Sequence, residues 1–163
     1  MNWYERDPLF EQLLGFVNSA LADFPGTFEL ETGEFPSNEV PYFYIRVVPH
    51  GTTSAPILLQ SWPDGIKVDV WVGQDTWYEL PLEGTWGELR HRPMHEEAPA
   101  VIHAVAHGRF RERLLRAGER ICESHGFVVI DGQEYASSSY HGVQRDPRAQ
   151  WEETDYQPYD SGG

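Results

Sequence analysis

Ile66-Lys67-Val68-Asp69-Val70-Trp71-Val72 runs into Gly73-Gln74-Asp75 and then into Thr76-Trp77-Tyr78-Glu79-Leu80. Ile66, Val68, Val70 and Val72 alternate with Lys67, Asp69 and Trp71, the two-residue period of a strand buried on one face. A turn this short leaves no room for a crossover, so the two strands must be antiparallel. Upstream, Pro63-Asp64-Gly65 is another tight turn. Before it, Ile57 to Trp62 and Tyr42 to Val48 are rich in the aromatic and aliphatic residues of central strands. Thr27 to Thr32 adds a short strand, and Glu34 to Glu39, with Pro36, reads as a loop. The middle of the chain is therefore an antiparallel meander.

Helical spacing flanks it. Asp7-Pro8 reads as a cap and a first-turn proline. Leu9, Phe10, Leu13, Leu14, Val17, Ala20, Leu21 and Phe24 then recur on one face, which predicts a helix over residues 8–23 ended by Pro25-Gly26. After an irregular stretch, 81–97, Pro99 reads as the first turn of a long helix over 99–124, with Gly126 as its terminal glycine. Phe127 to Ile130, Asp131-Gly132 and Tyr135 to Tyr140 read as a closing hairpin, because Asp-Gly favours a type I′ turn. The expected fold is α+β and two-layered: an antiparallel meander sheet of about five to seven strands, with both helices on one face. Residues 1–142 form the domain. Residues 143–163 form an acidic, aromatic tail that ends in Gly162-Gly163 and reads as poorly ordered alone.

Composition bounds the function. The 163 residues carry 12 basic and 26 acidic side chains, a net charge of −14 that repels nucleic acid and anionic membranes and attracts basic partners. Cys122 is the single cysteine, and Met1 to Arg6 lacks the basic start and apolar run of a signal peptide. No apolar stretch reaches a membrane span. The expected location is the cytoplasm.

Few motifs carry chemistry. His91, His95, His103 and His107 form two pairs spaced four apart, but Pro93 and Pro99 interrupt the first. His103 and His107 share the predicted core stripe of Phe110, Leu114, Ala117 and Ile121, so they read as core histidines rather than a metal site; a third ligand motif is missing. Cys122 reads as inert packing. Ser137, Ser138 and Ser139 beside His141 read as strand neighbours, with no Gly-x-Ser-x-Gly elbow. Gly84, Gly87 and Gly108 read as turns, without a phosphate-binding pattern. Trp62, Trp71, Trp77 and Trp86 lie near Asp64, Asp69, Asp75 and Glu79. That mixture suits packing or a protein-binding face, and less well a sugar site.

One further stripe stands out. On the predicted long helix Arg109, Arg113, Arg116 and Arg120 fall on one line, beside Glu112, Glu119 and Glu123. The acidic tail, or that of a second copy in a dimer, is the expected occupant.

The general profile (small, acidic, Trp-rich and poor in motifs) is similar to that of bacterial immunity proteins and phage-encoded inhibitors. The similarity rests on no particular residues. It implies a non-enzymatic module that occludes a basic protein partner without any cofactor, through Asp69, Trp71, Asp75, Trp77, Glu79 and the four arginines. The alternatives are a small metal-dependent enzyme using His103 and His107, or a subunit of a larger bacterial or phage assembly.

Overall fold

The computed structural model describes residues 1–35, 41–62, 67–81, 90, 92–142 and 146–160. The turn expected at Pro63-Asp64-Gly65, Ile66, Trp86, the glycines at 84 and 87, His91 and the terminal Gly-Gly lie outside the described residues.

After a short 3-10 turn, Trp3–Arg6, helix α1 spans Pro8–Ala20. Its start follows from the sequence: Pro8 fills the first position, and Asp7 accepts a hydrogen bond from the Leu9 N–H at 2.9 Å. Strands β1 (Phe28–Phe35), β2 (Tyr42–Pro49), β3 (Ile57–Ser61), β4 (Lys67–Val72) and β5 (Thr76–Pro81) form an antiparallel meander in sequence order. Phe43, Ile45, Val47, Ile57, Leu59, Val68, Val70, Tyr78 and Leu80 alternate onto its buried face. β1 is longer than expected, since Glu34 and Phe35 continue it against Phe43 and Tyr42.

The long helix does not form. Helix α2 spans Met94–Ala106, and Pro99 lies inside it rather than at its first turn. Gly108, at φ 73°, ends it: its N–H bonds to Val105 O, and the Arg109 N–H reaches back to Ala104 O. This doubly bonded glycine stop satisfies carbonyls the helix end leaves free. The chain then turns into β6 (Phe110–Ala117), β7 (Arg120–Ile130) and β8 (Gln133–Tyr140), and later β9 (Gln150–Asp155). These make a second antiparallel sheet in the order β8-β7-β6-β9. Gly118, at φ 63°, opens the two-residue turn between the Ala117 and Arg120 pair. Asp131 and Gly132, at φ 52° and 78°, make the expected turn between β7 and β8.

The expected single sheet is thus corrected. The described residues form two antiparallel sheets, of five and four strands. Helix α1 packs against α2 and β2, while α2 also touches β5 and β7. Gly126 is no helix terminus; it lies within β7, where a Cβ would come within 2.1 Å of Thr76 Cγ2. Among the described residues no helix is long and apolar enough to cross a membrane.

Several contacts join the sheets. The Glu112 carboxylate, buried on β6, accepts bonds from the N–H groups of Gln74 and Asp75 and from Thr76 Oγ1 and Tyr156 Oη, all within 2.8 to 2.9 Å. It caps the β4–β5 turn from the other sheet. The C-terminal segment adds ties to the stretch before β3 and to the end of α2. Tyr159 Oη donates to Ala55 O at 2.7 Å, its N–H donates to Ala106 O, and Pro158 O accepts from Ser54 Oγ.

Candidate protein-binding face

The outward face of the five-stranded sheet is built by register. One row crosses all five strands as Glu31, Arg46, Leu58, Trp71 and Trp77; the next runs Gly33, Tyr44, Gln60, Asp69 and Glu79. Strand alternation puts these side chains opposite the core. Tyr44, Leu58, Trp71 and Trp77 are half-buried, so part of their aromatic and apolar surface stays accessible among the charged Glu31, Arg46 and Glu79.

The five expected residues of this face differ in what they do. Trp71 and Trp77 stack with ring centres 5.8 Å apart. Trp77 Nε1 donates to Ser139 Oγ and its carbonyl accepts from Ser137 Oγ, which ties this tryptophan to β8. Trp71 Nε1 is buried without a hydrogen-bond partner among the described residues. Asp69 is buried and accepts from Trp62 Nε1 at 2.8 Å. Glu79 pairs with Lys67 at 2.7 Å, and the Lys67 ammonium sits 4.2 Å from the Trp62 ring centre. Asp75 is turned to the seam between the sheets, where its carboxylate meets His141 Nε2 at 2.5 Å. Trp71 and Glu79 thus stay half-buried on the outward face, while Asp69, Asp75 and Trp77 also hold the fold.

Other members of the surface were not singled out by sequence. Phe35 packs at a tilt against Tyr42 and Tyr44, Arg46 bonds Glu31 at 3.2 Å, and Arg46, Leu58, Trp71 and Gln74 line a concavity of about 240 Å³. Their alternation with Phe43, Ile45 and Leu59 was the available signal. Carboxylates at Glu29, Glu31, Asp69 and Glu79 outnumber the cations Arg46 and Lys67 on this side.

The four arginines form no helical stripe, because their segment is strand. Arg113 lies on the outer face of the second sheet, 4.2 Å above the Trp151 ring. Beside the bulge between Leu115 and Arg116, Arg116 instead bonds Glu152 at 2.9 Å and Gln74. Arg109 is exposed at the end of α2, and Arg120 begins β7 beside Gly142. Glu112 is a buried cap rather than a helical salt-bridge partner. The acidic segment does meet arginines, as strand β9 paired with β6: Arg111, overlooked in the sequence, bonds Glu153 at 2.9 Å.

The histidines are likewise displaced. His103 and His107 share no stripe with Phe110 and Leu114, which belong to β6; they sit half-buried at the end of α2 with Nε2 atoms 3.0 Å apart. Burial first, then His103 and Arg109, hold His107 below the ordinary histidine range, against the opposing pull of Asp23. Of the three serines, Ser138 has a histidine partner, and it is His125 rather than His141. Ser138 Oγ lies 2.6 Å from His125 Nδ1, whose Nε2 lies 2.9 Å from Glu123. This relay has the parts of a hydroxyl activated by a base. It lies across the strands of an exposed sheet face, with Ser138 in the middle of β8 and not on a strand-to-helix turn.

Cys122 is half of no bridge and is buried on β7. Comparison with protein-family models, with curated proteins and with solved structures found no match.

Proposed function

We propose that this protein is a non-enzymatic binding module that receives a basic protein on the outward face of its five-stranded sheet. The observation that carries the reading is the five-strand row ending in Leu58, Trp71 and Trp77, aromatic and apolar and half-buried on the outward face, with carboxylates around it. Rigid aromatics in the middle of an interface supply most of its binding energy, and an acidic rim speeds and orients the approach of a basic surface. The net charge of −14 extends that attraction beyond contact distance. An inhibitor of the immunity type, covering the basic active surface of a toxin or nuclease, fits this description. Such a partner acts where the protein is made, in keeping with a cytoplasmic site of action.

The test uses the purified chain to capture its partner from lysate of the source organism, followed by titration of the isolated partner. The partner should be basic, and affinity should fall as salt rises. Leu58→Asp with Trp71→Ala should abolish binding, while Tyr140→Ala with Arg113→Ala on the other sheet should leave it intact. Binding that tolerates the first pair and fails with the second would place the interface elsewhere.

A further inference from the structure

His103 and His107 meet at the C-terminal end of α2, with Nε2 atoms 3.0 Å apart and ring centres 4.2 Å apart. A near-linear N–H···N bond between two imidazoles would hold their centres more than about 5 Å apart. The shorter separation, with the ring planes tilted 55° apart, means that the two nitrogens do not meet head-on. With metal–nitrogen bonds of about 2.1 Å, an edge of 3.0 Å subtends about 90° at a shared ion, an angle that first-row metals accept. The geometry points to a two-histidine seat for a divalent transition-metal ion, separate from the proposed protein-binding face.

The surroundings support a cation in several ways. The pair occupies the last turn and cap of α2, at the negative end of the helix dipole. Asp23 acts on His107 electrostatically in the same sense, against Arg109. His103 also lines a groove of about 400 Å³ between α1, α2 and β7, so solvent and ions reach it. Among the described residues no third histidine, cysteine or carboxylate completes a cluster. The remaining positions would therefore go to water, and the ion would exchange freely rather than serve as a structural staple.

Zn²⁺ titrated into the untagged full chain at neutral pH tests this. Calorimetry should show one ion per chain with a dissociation constant on the order of 10 μM. His103→Ala and His107→Ala should each weaken binding by about a hundredfold or more, with His103→Gln used where alanine disturbs folding. In NMR spectra the imidazole signals of these two residues should move while those of His50, His125 and His141 stay in place. No saturable binding below about 1 mM, or binding that survives loss of both residues, would overturn the assignment.

Discussion

Replacing Glu112 with alanine should be among the most destabilising changes in the protein. The carboxylate is buried and satisfies four donors: two backbone N–H groups in the β4–β5 turn, the Thr76 hydroxyl and the Tyr156 hydroxyl. The hydroxyls can rotate toward other acceptors, but the Gln74 and Asp75 N–H groups cannot. Two stranded amides at about 1 to 3 kcal/mol each, with some loss from the hydroxyls, give about 4 kcal/mol. That is a large part of a typical stability of about 5 to 15 kcal/mol. For a domain of this size it lowers the melting temperature by about 10 °C. Tyr156→Phe removes a single donor and should cost only about 1 kcal/mol. Glu112→Gln should fall between, because its amide nitrogen must face donors on one side. Urea unfolding followed by circular dichroism and tryptophan fluorescence measures all three. If Glu112→Ala costs no more than Tyr156→Phe, the carboxylate is not what joins the turn to the second sheet.

Other expectations follow from close contacts and burial. Gly126→Ala would drive a methyl group to 2.1 Å from Thr76 Cγ2, and should cost about 3 kcal/mol or more in denaturant titration; Thr76→Ala in the same chain should recover part of the loss. Gly118→Ala has open space but a positive φ of 63°, so it should cost only about 1 kcal/mol. Burial, aided by the Glu112 charge at Tyr78 and Tyr156, raises the phenol groups of Tyr78, Tyr156 and Tyr159 above their ordinary value of 10.0. The unfolded chain therefore gives up these protons first. Stability should be full below about pH 10 and fall as pH rises past it, with phenolate absorbance appearing together with unfolding. Removing residues 156–163 deletes two buried tyrosine rings as well as a cap on Glu112, and should prevent cooperative folding in a thermal melt.

The sequence was most legible where one period ruled. Helix α1 and the strands from Ile57 to Leu80 declare themselves by uniform spacing and by turn residues at their ends. The stretch from Pro99 to Ser124 carries two periods at once. Phe110, Leu114, Ala117 and Ile121 fit a helix, while Phe110, Glu112 and Leu114 alternate as the inward face of β6. The inward member at the middle is a glutamate, so a charged residue at a core position hid the strand. Gly108 and Gly118 were the signals that separated the readings, one ending a helix and the other opening a hairpin. On the candidate face, Trp71 and Glu79 were visible from composition and alternation. Which tryptophan would be pinned depended on β8 crossing to Trp77, a contact 62 residues away in sequence. The meeting of His103 with His107 was implied by four-residue spacing, but their distance from the β6 core followed from the helix end.

The most direct measurement for the proposed interface is side-chain footprinting, by hydroxyl radicals, of the protein free and bound to its captured partner. Tyr42, Tyr44, Leu58 and Trp71 should lose reactivity together in the complex, while Tyr140 and Trp151 on the other sheet keep theirs. Protection of Tyr140 and Trp151, with Leu58 and Trp71 unchanged, would contradict the account.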